Sequence, residues 1–189
     1  MKRLLRQPSY KPPSKNAVIG GIPVDSEYII FIIDTSGSMK RFAWPLVVKK
    51  VEEVLQIYPK VKGIQLLNDM GRYMFETYKG RWIPDSPARR KAVIERVKTW
   101  NSFSNSSPVE GIVAAIRRFY RNDRKISLYV FGDDFTGKNI NDVIEEVSRI
   151  NLVDRDGNPR VRVHAFGFPV LFLFLTPPTP PPILSGLVG

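Results

Sequence analysis

The segment Asp34-Thr35-Ser36-Gly37-Ser38 places one carboxylate and two hydroxyls at alternate positions, a D-x-S-x-S arrangement. A loop of suitable curvature turns those three hard oxygens toward a single point. Hard oxygens suit Mg2+ (or Mn2+), which takes near-octahedral coordination and usually keeps several waters. Two other stretches carry similar donors: the acidic pair in Gly132-Asp133-Asp134, and the hydroxyl-rich Ser102-Phe103-Ser104-Asn105-Ser106-Ser107. The same residue types also form turns and helix caps. Ser107 before Pro108 in particular has the form of an N-cap with proline in the first helical position. Position favours the metal reading, because ligands in open α/β sheets bind beyond the carboxyl ends of the strands.

The elements that must position these loops are legible from periodicity. Tyr28-Ile29-Ile30-Phe31-Ile32-Ile33 is an unbroken apolar, β-branched run that ends at Asp34, the mark of a strand covered on both faces. Leu46, Val47, Val51, Val54, Leu55 and Tyr58 then recur at helical spacing until Pro59. Lys62–Leu67 reads as a second strand, and Tyr73-Met74-Phe75 as a third, paired with it as an antiparallel hairpin. Ser86–Trp100 and Pro108–Tyr120 read as helices, Ile126–Phe131 as a buried strand, Ile140–Ile150 as a helix and Val161–Gly167 as a strand. Strands alternating with helices predict an α/β sheet with right-handed crossovers.

With 189 residues the chain has room for one domain with a sizeable core. The division expected is a basic flexible arm over 1–24, a folded domain over 25–168 and an apolar Pro-rich tail over 169–189, which holds no charged residue. The absence of cysteine excludes disulfide scaffolds, thiol chemistry and Cys-ligated metals. The single histidine, His164, lies between Val163 and Ala165 and reads as a packed strand residue rather than a ligand. The net charge is +11, of which the first 16 residues supply five basic groups. Such a balance suits an acidic protein, nucleic acid or an anionic surface as partner. The start lacks the apolar stretch of a secretion signal, no run is long enough to span a bilayer, and a cytoplasmic location is the expectation.

Phe31-Ile32-Ile33-Asp34-Thr35-Ser36-Gly37-Ser38-Met39 resembles the first signature of the von Willebrand factor type A domain with its metal-ion-dependent adhesion site. The resemblance covers about Glu27 to Phe168. It implies a Rossmann-like open, mostly parallel twisted sheet with helices on both faces and one antiparallel edge strand, lacking the final helix and strand of the family. It also implies a divalent cation held by Asp34, Ser36 and Ser38, with Ser107 at the second-loop position, usually a threonine, and Asp133 at the third. Ser106 and Asp134 are the rivals for the last two places. The function so implied is non-enzymatic: a cation-dependent protein-binding module in which an Asp or Glu of the partner completes the coordination. The alternative is a nucleic-acid-binding protein using the arm and the arginine clusters around Arg89 and Arg117–Lys125. A hydrolase using Asp34 or Ser36 as nucleophile ranks below both, for want of a nearby base.

Overall fold

The computed structural model describes residues 18–19, 22–105, 108–133, 140–153, 157 and 159–168. Most of the expected arm and the whole expected tail, with Ser106, Ser107 and Asp134, lie outside the described residues. Within the span read as an arm, β1 (Val18–Ile19) and β2 (Ile22–Pro23) pair antiparallel as a small ribbon of their own.

The apolar run forms β3 (Tyr28–Ile33) with the bounds its composition predicts. It is followed by a π-helical segment, Met39–Ala43, that continues into α1 (Trp44–Ile57). Then come β4 (Gly63–Asn68), β5 (Ile83–Pro84), α2 (Pro87–Thr99), α3 (Pro108–Phe119), β6 (Ile126–Gly132), α4 (Ile140–Ile150) and β7 (Arg162–Gly167). Five strands make one sheet in the order β5-β4-β3-β6-β7, in which β4, β3, β6 and β7 run parallel and β5 is antiparallel at the edge. The protein is therefore an α/β fold built on an open, mostly parallel sheet with helices on both faces.

Alternation along β3 explains the layers. Ile29, Phe31 and Ile33 face one core with Val47, Val51 and Val54 of α1 and Val93 and Val97 of α2. Ile30 and Ile32 face the other with Ile112, Ile116 and Phe119 of α3 and, at its margin, Val147 and Ile150 of α4. Each fully buried Ile, Leu or Phe contributes roughly 1.5–3 kcal/mol, so this central strand anchors both layers. Of the polar groups drawn inside, the hydroxyls of Tyr58 and Tyr129 bond to each other at 2.8 Å. α2 begins at Ser86, whose hydroxyl accepts the Arg89 N–H at 3.2 Å, with Pro87 in the first helical position.

The antiparallel strand is not where the sequence placed it. Tyr73 makes a single bridge to Leu67, and the strand that pairs with β4 is Ile83–Pro84, with Ile64 opposite Ile83 and Gly63 opposite Pro84. The reason lies in the polar residues of β4. The turn at Gly71, which has a left-handed φ of 78°, is held by Asn68 Oδ1 accepting the N–H groups of Met70 and Arg72. Beyond it the buried Gln65 amide donates to the carbonyls of Tyr78 and Arg81 and draws that loop across the strand, so that pairing resumes only after it. Pro84 has no N–H to donate, which an edge position tolerates.

Candidate functional site

The carboxyl ends of β3, β4 and β6 lie side by side. Ile33 stands opposite Asn68 on one side and Phe131 on the other, the Asp34 N–H donates to Phe131 O at 2.8 Å, and the Asp69 N–H donates to Ile33 O at 3.1 Å. Asp34 and Asp69 leave adjacent strands at the same height, and both are essentially inaccessible to solvent, at 1% and 0% exposure. Asp34 Oδ1 accepts the Ser36 N–H at 2.7 Å and the Ser104 hydroxyl at 3.1 Å. Asp34 Oδ2 and Thr35 Oγ1 are buried with no hydrogen-bond partner among the described residues. Burial pushes the Asp34 pKa up, the Ser36 N–H and the Ser104 hydroxyl pull it down, and the Asp69 charge adds to the rise.

Ser36 and Ser38 are brought together as the D-x-S-x-S spacing predicts, with their hydroxyl oxygens 3.1 Å apart. Adjacent ligands of an octahedral Mg2+ at about 2.0–2.1 Å lie about 3 Å from each other, so this pair is spaced like one edge of such a shell. The capping alternative for Ser38 fails, because Ser38 stands at the start of the π segment and makes no side-chain cap bond. π turns recur at functional sites, and here the wider turn follows directly on the hydroxyl loop. A buried carboxylate oxygen without a partner and two hydroxyls at ligand spacing fit a hard divalent cation. The residues that would hold it are Asp34, Ser36 and Ser38. Asp133, half-buried and two residues past Phe131, closes the adjacent strand end. Among the described residues no cluster of three or more His, Cys, Asp and Glu side chains is arranged to hold a metal, so a site here depends on its hydroxyls.

Three contributors escape the sequence reading. Asp69 and Asn68 look like turn formers, yet Asp69 stands just past β4 where Asp34 stands just past β3, and Asn68 is the last residue of β4. The rule that ligands sit at strand ends, applied to every parallel strand, would have found them. Asn68 Nδ2 donates to Phe103 O at 2.9 Å and to Ser102 Oγ at 3.3 Å, fixing the loop that delivers Ser104 to Asp34. The third is Lys40, in the π segment, whose ammonium lies 3.0 Å from the centroid of the Trp44 ring. Partial burial lowers its pKa from 10.5 to about 8. Thr35, Ser36, Gly37 and Lys40 form one wall of an open cleft of about 560 Å³, and residues 101–104 form the other. His164 is no part of it. Its ring stacks on Tyr129 at 4.9 Å, as expected of a packed strand residue.

Comparison with solved structures adds a likeness. A solved structure described as von Willebrand factor type A from Catenulispora acidiphila is similar over 76% of this chain and 39% of that one, with 14% identity and a TM-score of 0.44. The chain thus spans well under half the length of that structure. No protein-family model matches the chain, and no curated protein matches it.

Proposed function

We propose that the chain is a non-enzymatic, divalent-cation-dependent protein-binding module of the von Willebrand factor type A kind. In this reading Asp34, Ser36 and Ser38 hold Mg2+ (or Mn2+), with Ser107 and Asp133 completing the protein's share. An Asp or Glu of the partner takes the open position. The observation that carries the proposal is the buried Asp34 carboxylate, one oxygen of which has no hydrogen-bond partner among the described residues. A buried charge of this kind is costly unless a counter-charge meets it, and a cation entering from the cleft would do so. A cation ligated mainly by neutral hydroxyls keeps much of its charge, and this is what would attract a partner's carboxylate. The excess of basic residues would steer acidic partners to the surface.

The test is calorimetric titration of Mg2+ and Mn2+ into the wild-type chain, Asp34→Ala and Asp34→Asn. Removing the one carboxylate ligand of the first loop should weaken binding about tenfold or more. Equal affinity in wild type and both variants would overturn the proposal.

A further inference from the structure

The cleft beside the hydroxyl loop contains a charge that cation binding leaves unused. Lys40 lies in its wall with Thr35, Ser36 and Gly37, half-buried, its ammonium pinned over the Trp44 ring. Trp44 is itself fixed, because its indole N–H donates to Val97 O at 3.0 Å. Among the described residues no carboxylate lies within ion-pair distance of Lys40, whereas Lys50, Lys62 and Lys98 each have one at 2.6–2.7 Å. A cation–π contact holds an ammonium in place without neutralising it. The opposite wall includes Phe103, which is 70% exposed. At about 560 Å³ the cleft is within the size range of ligand sites and larger than one carboxylate requires.

We infer that Lys40 is a second anion-recognition point in this cleft, and that the partner segment presents two or more acidic side chains close together in sequence. One carboxylate goes to the cation and another to the Lys40 ammonium. The inference rests on the cation-dependent reading above and adds the class of partner: an acidic cluster rather than a lone Asp or Glu. A charge-assisted contact to a half-buried ammonium discriminates more sharply than one to a solvated lysine, because little water competes for it.

The probes are two fluorescein-labelled peptides, Gly-Asp-Asp-Asp-Gly and Gly-Asn-Asp-Asn-Gly, followed by anisotropy in Mg2+ and in EDTA. Wild type in Mg2+ should bind the acidic cluster at least fivefold more tightly than the single aspartate. Lys40→Gln should reduce that preference to within twofold, and Lys40→Arg, which keeps the charge, should retain it. Loss in Gln with retention in Arg separates recognition from a packing defect, since both substitutions disturb the Trp44 contact. Binding that EDTA abolishes but whose preference survives in Lys40→Gln, or wild type that shows no preference or binds neither peptide, overturns the role of Lys40. Binding that EDTA leaves unchanged overturns the cation reading instead, and the paired arrangement with it.

Discussion

A carboxylate as enclosed as that of Asp34 costs free energy unless its charge is met, and Ser36 and Ser104 meet it at one oxygen only. The neighbouring Asp69 increases the cost. His164 shows the opposite case, a titratable group kept neutral. Its Nε2 is buried without a hydrogen-bond partner among the described residues, and burial, aided by the Arg162 charge, holds its pKa below the ordinary 6.5. Between that lowered value and 6.5 the unfolded chain binds more protons than the fold. The stability His164 contributes is therefore complete above 6.5 and lost as pH falls through the window. His164→Phe keeps a ring against Tyr129 and removes the titration, so the drop in urea midpoint from pH 7.5 to 5.5 should be smaller in the variant than in wild type. That Asp34, Ser36 and Ser38 lie together at a strand end was legible, because type, spacing and place after a strand all agree. Lys40 was not, since a lysine at the start of a helix reads as solvated unless the Trp44 ring beneath it is known.

Loops at strand ends are only as well placed as the contacts that bring the elements together, and one tight contact of this kind is at Gly111. The Gly111 N–H donates to Asp69 O at 2.6 Å, and a Cβ at this position would lie 2.8 Å from Asn68 O and from Ile32 Cγ2. α3 therefore meets the end of β4 backbone to backbone and rests on the Ile32 side chain of β3. Gly111→Ala should push the helix away at a cost of about 1–3 kcal/mol, the usual penalty of overpacking. Urea unfolding measures that loss, and calorimetry should show weaker Mg2+ binding in the same variant because Asp69 and Asn68 move with the contact. Helix and strand periodicity located β3 and α4 with the bounds observed, because long runs of one period leave little choice. It failed at β5, where two residues containing a proline give no period to detect, and at Met39–Ala43, where the wider π turn breaks the α register. Both failures lie where side-chain hydrogen bonds or loop geometry outweigh local preference.

Two apolar layers on either side of one sheet give the molecule a centre and two unlike margins. β3, β4 and β6 are buried along almost their whole length, while β7 is half-buried or exposed throughout and β5 is only two residues long. The alternation of strands and helices made this plan legible in the sequence. The charge did not reveal as much: a total of +11 says nothing about which face carries it, and the buried acids at the strand ends are invisible in a sum. The unequal cover of the strands has a consequence in time as well as in space. Amide protons along Ile29–Ile33 should exchange with deuterium only when the whole molecule unfolds, and those of Val163–Gly167 through smaller openings that leave the middle intact, at least tenfold faster by mass spectrometry. Proteolysis of native protein should then start from the β7 margin, and fragments that retain β3 with its two neighbouring strands should outlast the rest.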